Sequence, residues 1–206
     1  MIPLMVNCSG KNVTIFGGGE VGARKARYFA DEADVTVCSR SFSPEFQSIP
    51  VRQVQIDLRK KEEIISPYIK GAFLVIAATS DPELNTMITD QCREAGTLCN
   101  NATSPPGDVT LPARCGGDQF TIAVSTRGGS PAVARFIREN IENSWPYLDQ
   151  MIILEEQLRH ELKEKMIPQD KRKEILTAVL HDPDVWQMLH KGISDAKHLI
   201  HARYLI

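Results

Sequence analysis

The sequence predicts a doubly wound α/β fold with a parallel sheet, followed by a small α+β region and a helical C-terminal part. Three observations predict it. Strand-like and helix-like runs alternate over roughly the first hundred residues, as stacked βαβ units require. The run Ala72–Thr79 (AFLVIAAT) is apolar almost throughout, as in a central parallel strand covered on both faces. A glycine-rich turn, Gly17–Gly22, sits between the first strand-like run and the first helix-like run.

Taken in order, Lys11–Phe16 reads as a buried strand with Val13 and Ile15 as its β-branched members. Glu20 to about Ala30 reads as a helix whose small residues Gly22 and Ala26 allow close approach to a sheet. Asp34–Ser39 is a second strand, and the more polar Val51–Ile56 a third. A short helix is expected over Lys60–Tyr68, then the central strand Ala72–Thr79. Ser80-Asp81-Pro82 starts a helix that Gly96 ends, and Leu98–Ala102 is a fifth strand. Beyond it the alternation stops. Val109–Arg114 and Phe120–Ser125 read as a hairpin around Cys-Gly-Gly-Asp. Ser130 as N-cap and Pro131 at the first helical position open a helix to about Trp145. The remainder is helical, broken at Pro168, Pro183 and Gly192. The expected division is 1–113, 114–145 and 146–206.

Composition narrows the function classes. The 206 residues are 42 % hydrophobic and 24 % charged, with a formal net charge of −2, which argues against a dedicated nucleic-acid binder. No run is long and apolar enough to span a bilayer, and the N-terminus lacks the basic start of a signal peptide. The five cysteines form no C-x-x-C pair and are odd in number, so a reduced, cytoplasmic protein is expected.

Gly17-Gly18-Gly19-Glu20-Val21-Gly22 fits G-x-G-x-x-G after a strand and before a helix, the context a dinucleotide-binding Rossmann turn requires. Gly17 permits the tight turn, Gly19 the approach of a pyrophosphate, and Gly22 close packing of helix on strand. The helix start, with Glu20 and Val21, offers its N–H groups to the phosphates. NAD is the expected cofactor. Its site takes in Thr79 at the end of the central strand and Ser39, Arg40 and Ser41 at the end of the second strand. No acid stands there to bind the adenosine ribose. A serine hydroxyl replaces one of its hydrogen bonds, while Arg40 stacks on adenine, meets a 2′-phosphate or is a solvated loop cation.

Arg24, Lys25 and Arg27 follow the turn, against the preference of a helix N-terminus for acids; they read as a solvated face or as partners of an anion. The stretches GGGEVGARKA, VIAATSD, CNN and IAVSTRGGSPAVARFIRENIE together resemble the precorrin-2 dehydrogenase module of siroheme biosynthesis, over roughly residues 1–145. The resemblance implies a Rossmann-type parallel sheet, a small α+β dimerisation region and a C-terminal helical domain, assembled as a homodimer. It implies NAD-dependent oxidation of the polycarboxylate tetrapyrrole precorrin-2 to sirohydrochlorin. For some members it implies insertion of Fe²⁺ or Co²⁺ as well. The active site is then expected between the nicotinamide and the central region, with no nucleic-acid or membrane partner.

Residue by residue, the resemblance points to Asn100, Arg114, Thr126 and Arg127-Gly128-Gly129-Ser130 as contacts for substrate carboxylates, the last leading into a helix N-terminus. Arg135 and Arg138 are substrate contacts, or pair at the surface or in a dimer interface. The family's catalytic aspartate after the Cys-Asn strand is missing: Thr103 stands in its place, and Asp108 is the nearest carboxylate. Asp108, Thr103 and Ser125 are therefore the catalytic candidates, with Asp108 as proton acceptor or plain turn residue. His198 and His201 share a helix face without a third ligand, so no resident metal site is expected. The competing reading is an NAD(H)-sensing Rossmann module that binds cofactor without turnover.

Overall fold

The computed structural model describes residues 1–58, 62–103 and 107–205. The chain forms two compact units, Met1–Leu111 and Pro112–Ile206.

The first unit is a five-stranded parallel sheet in the order β3-β2-β1-β4-β5. Its strands are β1 (Asn12–Phe16), β2 (Asp34–Ser39), β3 (Arg52–Gln55), β4 (Leu74–Ala77) and β5 (Leu98–Asn101). Strand side chains alternate between faces, and both faces are covered. On one, Val13, Ile15, Val35, Val37, Leu74 and Ile76 pack with Ala23, Ala26 and Phe29 of α1 (Glu20–Phe29). On the other, Phe16, Cys38, Val75, Ala77 and Cys99 pack with Ile65 and Ile69 of α2 (Glu62–Ile69) and with Ile88 and Cys92 of α3 (Pro82–Ala95). This double cover is why β4 is apolar at every position. The expected start of α2 at Lys60 lies outside the described residues. Asp81 caps α3 by accepting from the N–H groups of Glu83 (3.1 Å) and Leu84 (3.3 Å), and Gly96 ends it at φ +66°. A short 3₁₀ helix over Pro44–Ser48, which the sequence pattern does not signal, plugs Phe46 into the core.

The second unit opens with an antiparallel hairpin, β6 (Ala113–Gly116) and β7 (Thr121–Val124). The first hairpin strand thus begins later than the expected Val109. Val109 and Leu111 instead pack on the core of the first unit, and the Val109 N–H donates to Cys99 O at 3.0 Å. Helix α4 (Pro131–Ser144) follows, with Ser130 Oγ accepting from Val133 N–H at 3.3 Å. Four more helices complete the unit: α5 (Leu148–Glu164), α6 (Gln169–Leu180), α7 (Pro183–Leu189) and α8 (Ile193–Tyr204). Met151, Leu154, Leu158 and Leu162 recur at three- and four-residue spacing along α5 and pack with Val179, Val185, Leu189, Ala196 and Ile200. Asp182, at the start of α7, accepts from Arg203, Tyr204 and the Asp184 N–H, tying α8 to α7. Among the described residues no helix is long and apolar enough to cross a membrane.

Glu155 on α5 departs from this order. Burial pushes its carboxyl up to about 7 against the opposing pull of Arg159, and its Oε1 is buried without a partner among the described residues. The folded state therefore holds this proton more tightly than the unfolded chain, and stability is lost as pH rises from the ordinary carboxylate range to about 7. Glu155→Gln removes the loss. Its Tm exceeds that of the wild type at pH 8, and thermal melts across pH show the gap narrowing toward pH 4; a pH-independent gap contradicts the assignment.

Candidate cofactor site

The carboxyl ends of the parallel strands surround a cavity of about 580 Å³, built within the first unit by the glycine turn, the segment after β2, Asp57 and Leu58 after β3, and Ala78–Asp81 after β4. Open α/β sheets bind ligands at this edge.

Three glycines of the turn answer to the protein itself. Gly17 has φ +126°, and a Cβ there would lie 2.3 Å from Ala78 O. At Gly18 a Cβ would lie 2.1 Å from Ser41 O, and at Gly22 it would lie 2.0 Å from Gly17 O. Gly22 thus sits behind the cavity and sets the distance of α1 from the turn. Gly19 differs. Its φ of −83° suits any residue, and a Cβ there meets nothing within 4 Å. Among the described residues nothing requires glycine at this point, which lines the cavity at the N-cap of α1.

Of the expected cofactor residues, Gly17, Gly19, Glu20, Val21, Ser39, Arg40, Ser41 and Thr79 line the cavity, and Gly22 does not. Sequence reasoning missed Ser43 and Asp57 on the wall. It also missed Asn85, which is fully buried on α3. Its Oδ1 accepts from Thr79 N–H (3.0 Å) and from Thr79 Oγ1 (2.7 Å), and its Nδ2 donates to Thr79 O (3.1 Å). Asn85 therefore fixes the loop after β4 from below. The cations after the turn have separate settings. Arg27 pairs with Glu45 of the 3₁₀ helix at 2.7 Å, and burial together with Arg24 lowers the Lys25 ammonium.

The remaining candidates fall into two groups. In the first unit, Asn100 Nδ2 donates to Val109 O (2.7 Å), Thr103 Oγ1 donates to Asn101 Oδ1 (2.8 Å), and Asp108 Oδ2 accepts from Cys99 N–H (3.2 Å). Gly107 allows this return of the chain, since a Cβ there would lie 2.2 Å from Cys99 O. Cys99 is two residues short of the end of β5, roughly 6.6 Å along the strand, so the Asp108 carboxylate is anchored below the sheet's carboxyl edge.

In the second unit, Thr126 Oγ1 donates to Ser130 O (2.9 Å) and accepts from Ser130 N–H (3.1 Å), and Ser125 Oγ accepts from Arg127 N–H (3.2 Å). Arg127 and Gly128 take left-handed φ values of 55° and 84°, which turns the chain sharply into α4. The side chains of Arg114 and Arg127 are exposed. Arg135 and Arg138 pair instead with Glu139 and Glu142 along their own helix, at 2.7–3.0 Å. His201 Nε2 lies 3.0 Å from Glu161 Oε2, and among the described residues no three metal-ligating side chains cluster.

A parallel sheet with a glycine turn, an open helix N-terminus and a cavity at the strand ends defines a dinucleotide-binding protein of the Rossmann class. A family model described as "Putative NAD(P)-binding" matches residues 4–113. The precorrin-2 dehydrogenase of Methanosarcina barkeri is 40 % identical over 207 residues, covering 98 % of this chain and 92 % of that protein. Siroheme synthase 1 of Aeromonas hydrophila is 32 % identical over 79 % of this chain, which spans only 35 % of that longer protein. The solved structure of SirC, precorrin-2 dehydrogenase, shares the fold, with a TM-score of 0.72 at 23 % identity, covering 98 % of this chain and 100 % of that one. The chain belongs to the precorrin-2 dehydrogenase family.

Proposed function

We propose that this chain oxidises precorrin-2 to sirohydrochlorin with NAD on the route to siroheme. The observation that carries the reading is the unfilled space at Gly19, in a chain matched along almost its full length by a precorrin-2 dehydrogenase. NAD, when bound, accepts the hydride that leaves the tetrapyrrole. The N–H groups of the turn and of the start of α1 hold its pyrophosphate. Thr79, clamped by Asn85, shapes the wall beyond. Arg114, Arg127 and the start of α4 at Ser130 supply cations and N–H groups for the substrate's carboxylates.

Asp108 is held by Cys99 N–H away from the strand ends, so we assign it a positioning role on the loop after β5. Asparagine at this position keeps the acceptor but not the base. Asp108→Asn turns over within roughly tenfold of wild type, whereas removing a general base costs on the order of a hundredfold or more. A loss of that larger size in kcat, with an unchanged Tm, would instead identify Asp108 as the proton acceptor.

We further propose that two copies pair through 114–145. Val133, Phe136 and Ile137 share one face of α4 and are 47 %, 65 % and 38 % exposed, an apolar stripe suited to a second copy. All five cysteines carry free thiols, in keeping with a reducing cytoplasm.

The test of the function is anaerobic. Precorrin-2 and NAD with the protein give the sirohydrochlorin spectrum, and omission of NAD prevents it. NAD binding without conversion favours the sensor reading. Adding Fe²⁺ or Co²⁺ to the product, against a protein-free control, tests metal insertion as a second activity.

A further inference from the structure

The adenosine end of the cavity has an unusual lining. In Rossmann sites a carboxylate at the end of the second strand commonly binds the ribose hydroxyls of NAD, while an arginine there accommodates the 2′-phosphate of NADP. Here β2 runs out into Ser39-Arg40-Ser41-Phe42-Ser43. This segment is locked to the glycine turn. Gly17 N–H donates to Cys38 O (3.0 Å), Ser43 N–H donates to Gly18 O (2.7 Å), and the missing Cβ of Gly18 would lie 2.9 Å from Ser39 Oγ. Gln55 Nε2 donates to Arg40 O at 3.1 Å and holds the backbone from the side of β3. Arg40 is thereby fixed next to the phosphate turn, with its side chain exposed on the cavity wall and in no ion pair with the described residues. Ser43 lines the same wall. Asp57 is the carboxylate on the neighbouring part of the wall, and it is already engaged in an interaction.

We propose that this end of the site is a 2′-phosphate subsite, with Arg40 as the specificity-determining residue, so that the enzyme accepts NADP alongside NAD. The guanidinium meets a dianionic phosphate through charge-assisted hydrogen bonds. The Ser39 and Ser41 hydroxyls donate to the same group. The inference rests on the assignment of the cavity to a dinucleotide.

The test titrates the full-length protein with NADH and with NADPH by cofactor fluorescence. The readout is the ratio of the Kd for NADPH to that for NADH. In the wild type the ratio is expected at or below one, rising at least tenfold in Arg40→Ala and less in Arg40→Lys, which keeps a charge. As a second probe, 2′,5′-ADP should displace NADH at lower concentration than 5′-ADP. A wild-type ratio above about one hundred, or a ratio unmoved by Arg40→Ala, overturns the subsite while leaving the dinucleotide assignment standing. Binding of neither cofactor removes that assignment and the subsite with it.

Discussion

Gly19→Asp abolishes cofactor binding without weakening the fold. The backbone at this position is extended, with φ −83° and ψ −173°, which aspartate adopts freely, and a Cβ there meets nothing within 4 Å. The position is also the N-cap of α1, where no side chain makes a capping hydrogen bond. Aspartate is among the favoured N-caps and contributes about 1 kcal/mol there. The Tm of the variant is therefore equal to or above that of the wild type. Its carboxylate, however, stands at the point assigned above to the pyrophosphate. Like charges about 4 Å apart repel by about 4 kcal/mol near a protein surface, or nearly a thousandfold in Kd. Calorimetric titration with NAD and a thermal melt on one sample read both effects. A Kd within tenfold of the wild type contradicts the cofactor assignment. Substitutions at Gly17 or Gly22 do not separate the two effects, because backbone oxygens already occupy the space their Cβ atoms need.

Asn85→Ala has the opposite signature. The side chain satisfies the Thr79 N–H and carbonyl and receives the Thr79 hydroxyl, and it is fully buried. Truncation takes this partner from the Thr79 N–H and carbonyl, at about 1–3 kcal/mol for each buried polar group so orphaned, while the hydroxyl keeps Asp81 O as its acceptor. The expected destabilisation is about 3 kcal/mol, with a clear fall in Tm. In the folded fraction the loop after β4 loses its clamp, so KM for NAD rises more than kcat falls. Denaturant unfolding and steady-state kinetics check the two parts. A stable variant with wild-type KM shows that the loop holds its shape without Asn85.

The contrast between these residues shows what the sequence makes legible. Gly19 was readable because its chemistry lies in a local motif bracketed by a strand and a helix. The caps of α3 were readable for the same reason, since Asp81-Pro82 and Gly96 act on their immediate neighbours. Asn85 was not. A lone asparagine within a helix looks like a solvated residue, and only the packing of α3 under the end of β4 gives it Thr79 as a partner. Val109 and Leu111 misled for a related reason. Their apolar alternation fits a hairpin strand, yet tertiary packing returns them to the first unit's core. Asp108 was legible as a carboxylate near the right place, but its partner, Cys99 N–H, depends on the return path of the chain.

In the proposed reaction, reduction of the cofactor is coupled to oxidation of the tetrapyrrole. The measurement that tests it most directly is the anaerobic stoichiometry of NADH formed per precorrin-2 consumed, for the wild type and for Gly19→Asp. One NADH is expected for each sirohydrochlorin in the wild type, and no NAD-dependent product in the variant. Sirohydrochlorin formation that is independent of NAD, or equal in the two proteins, contradicts it.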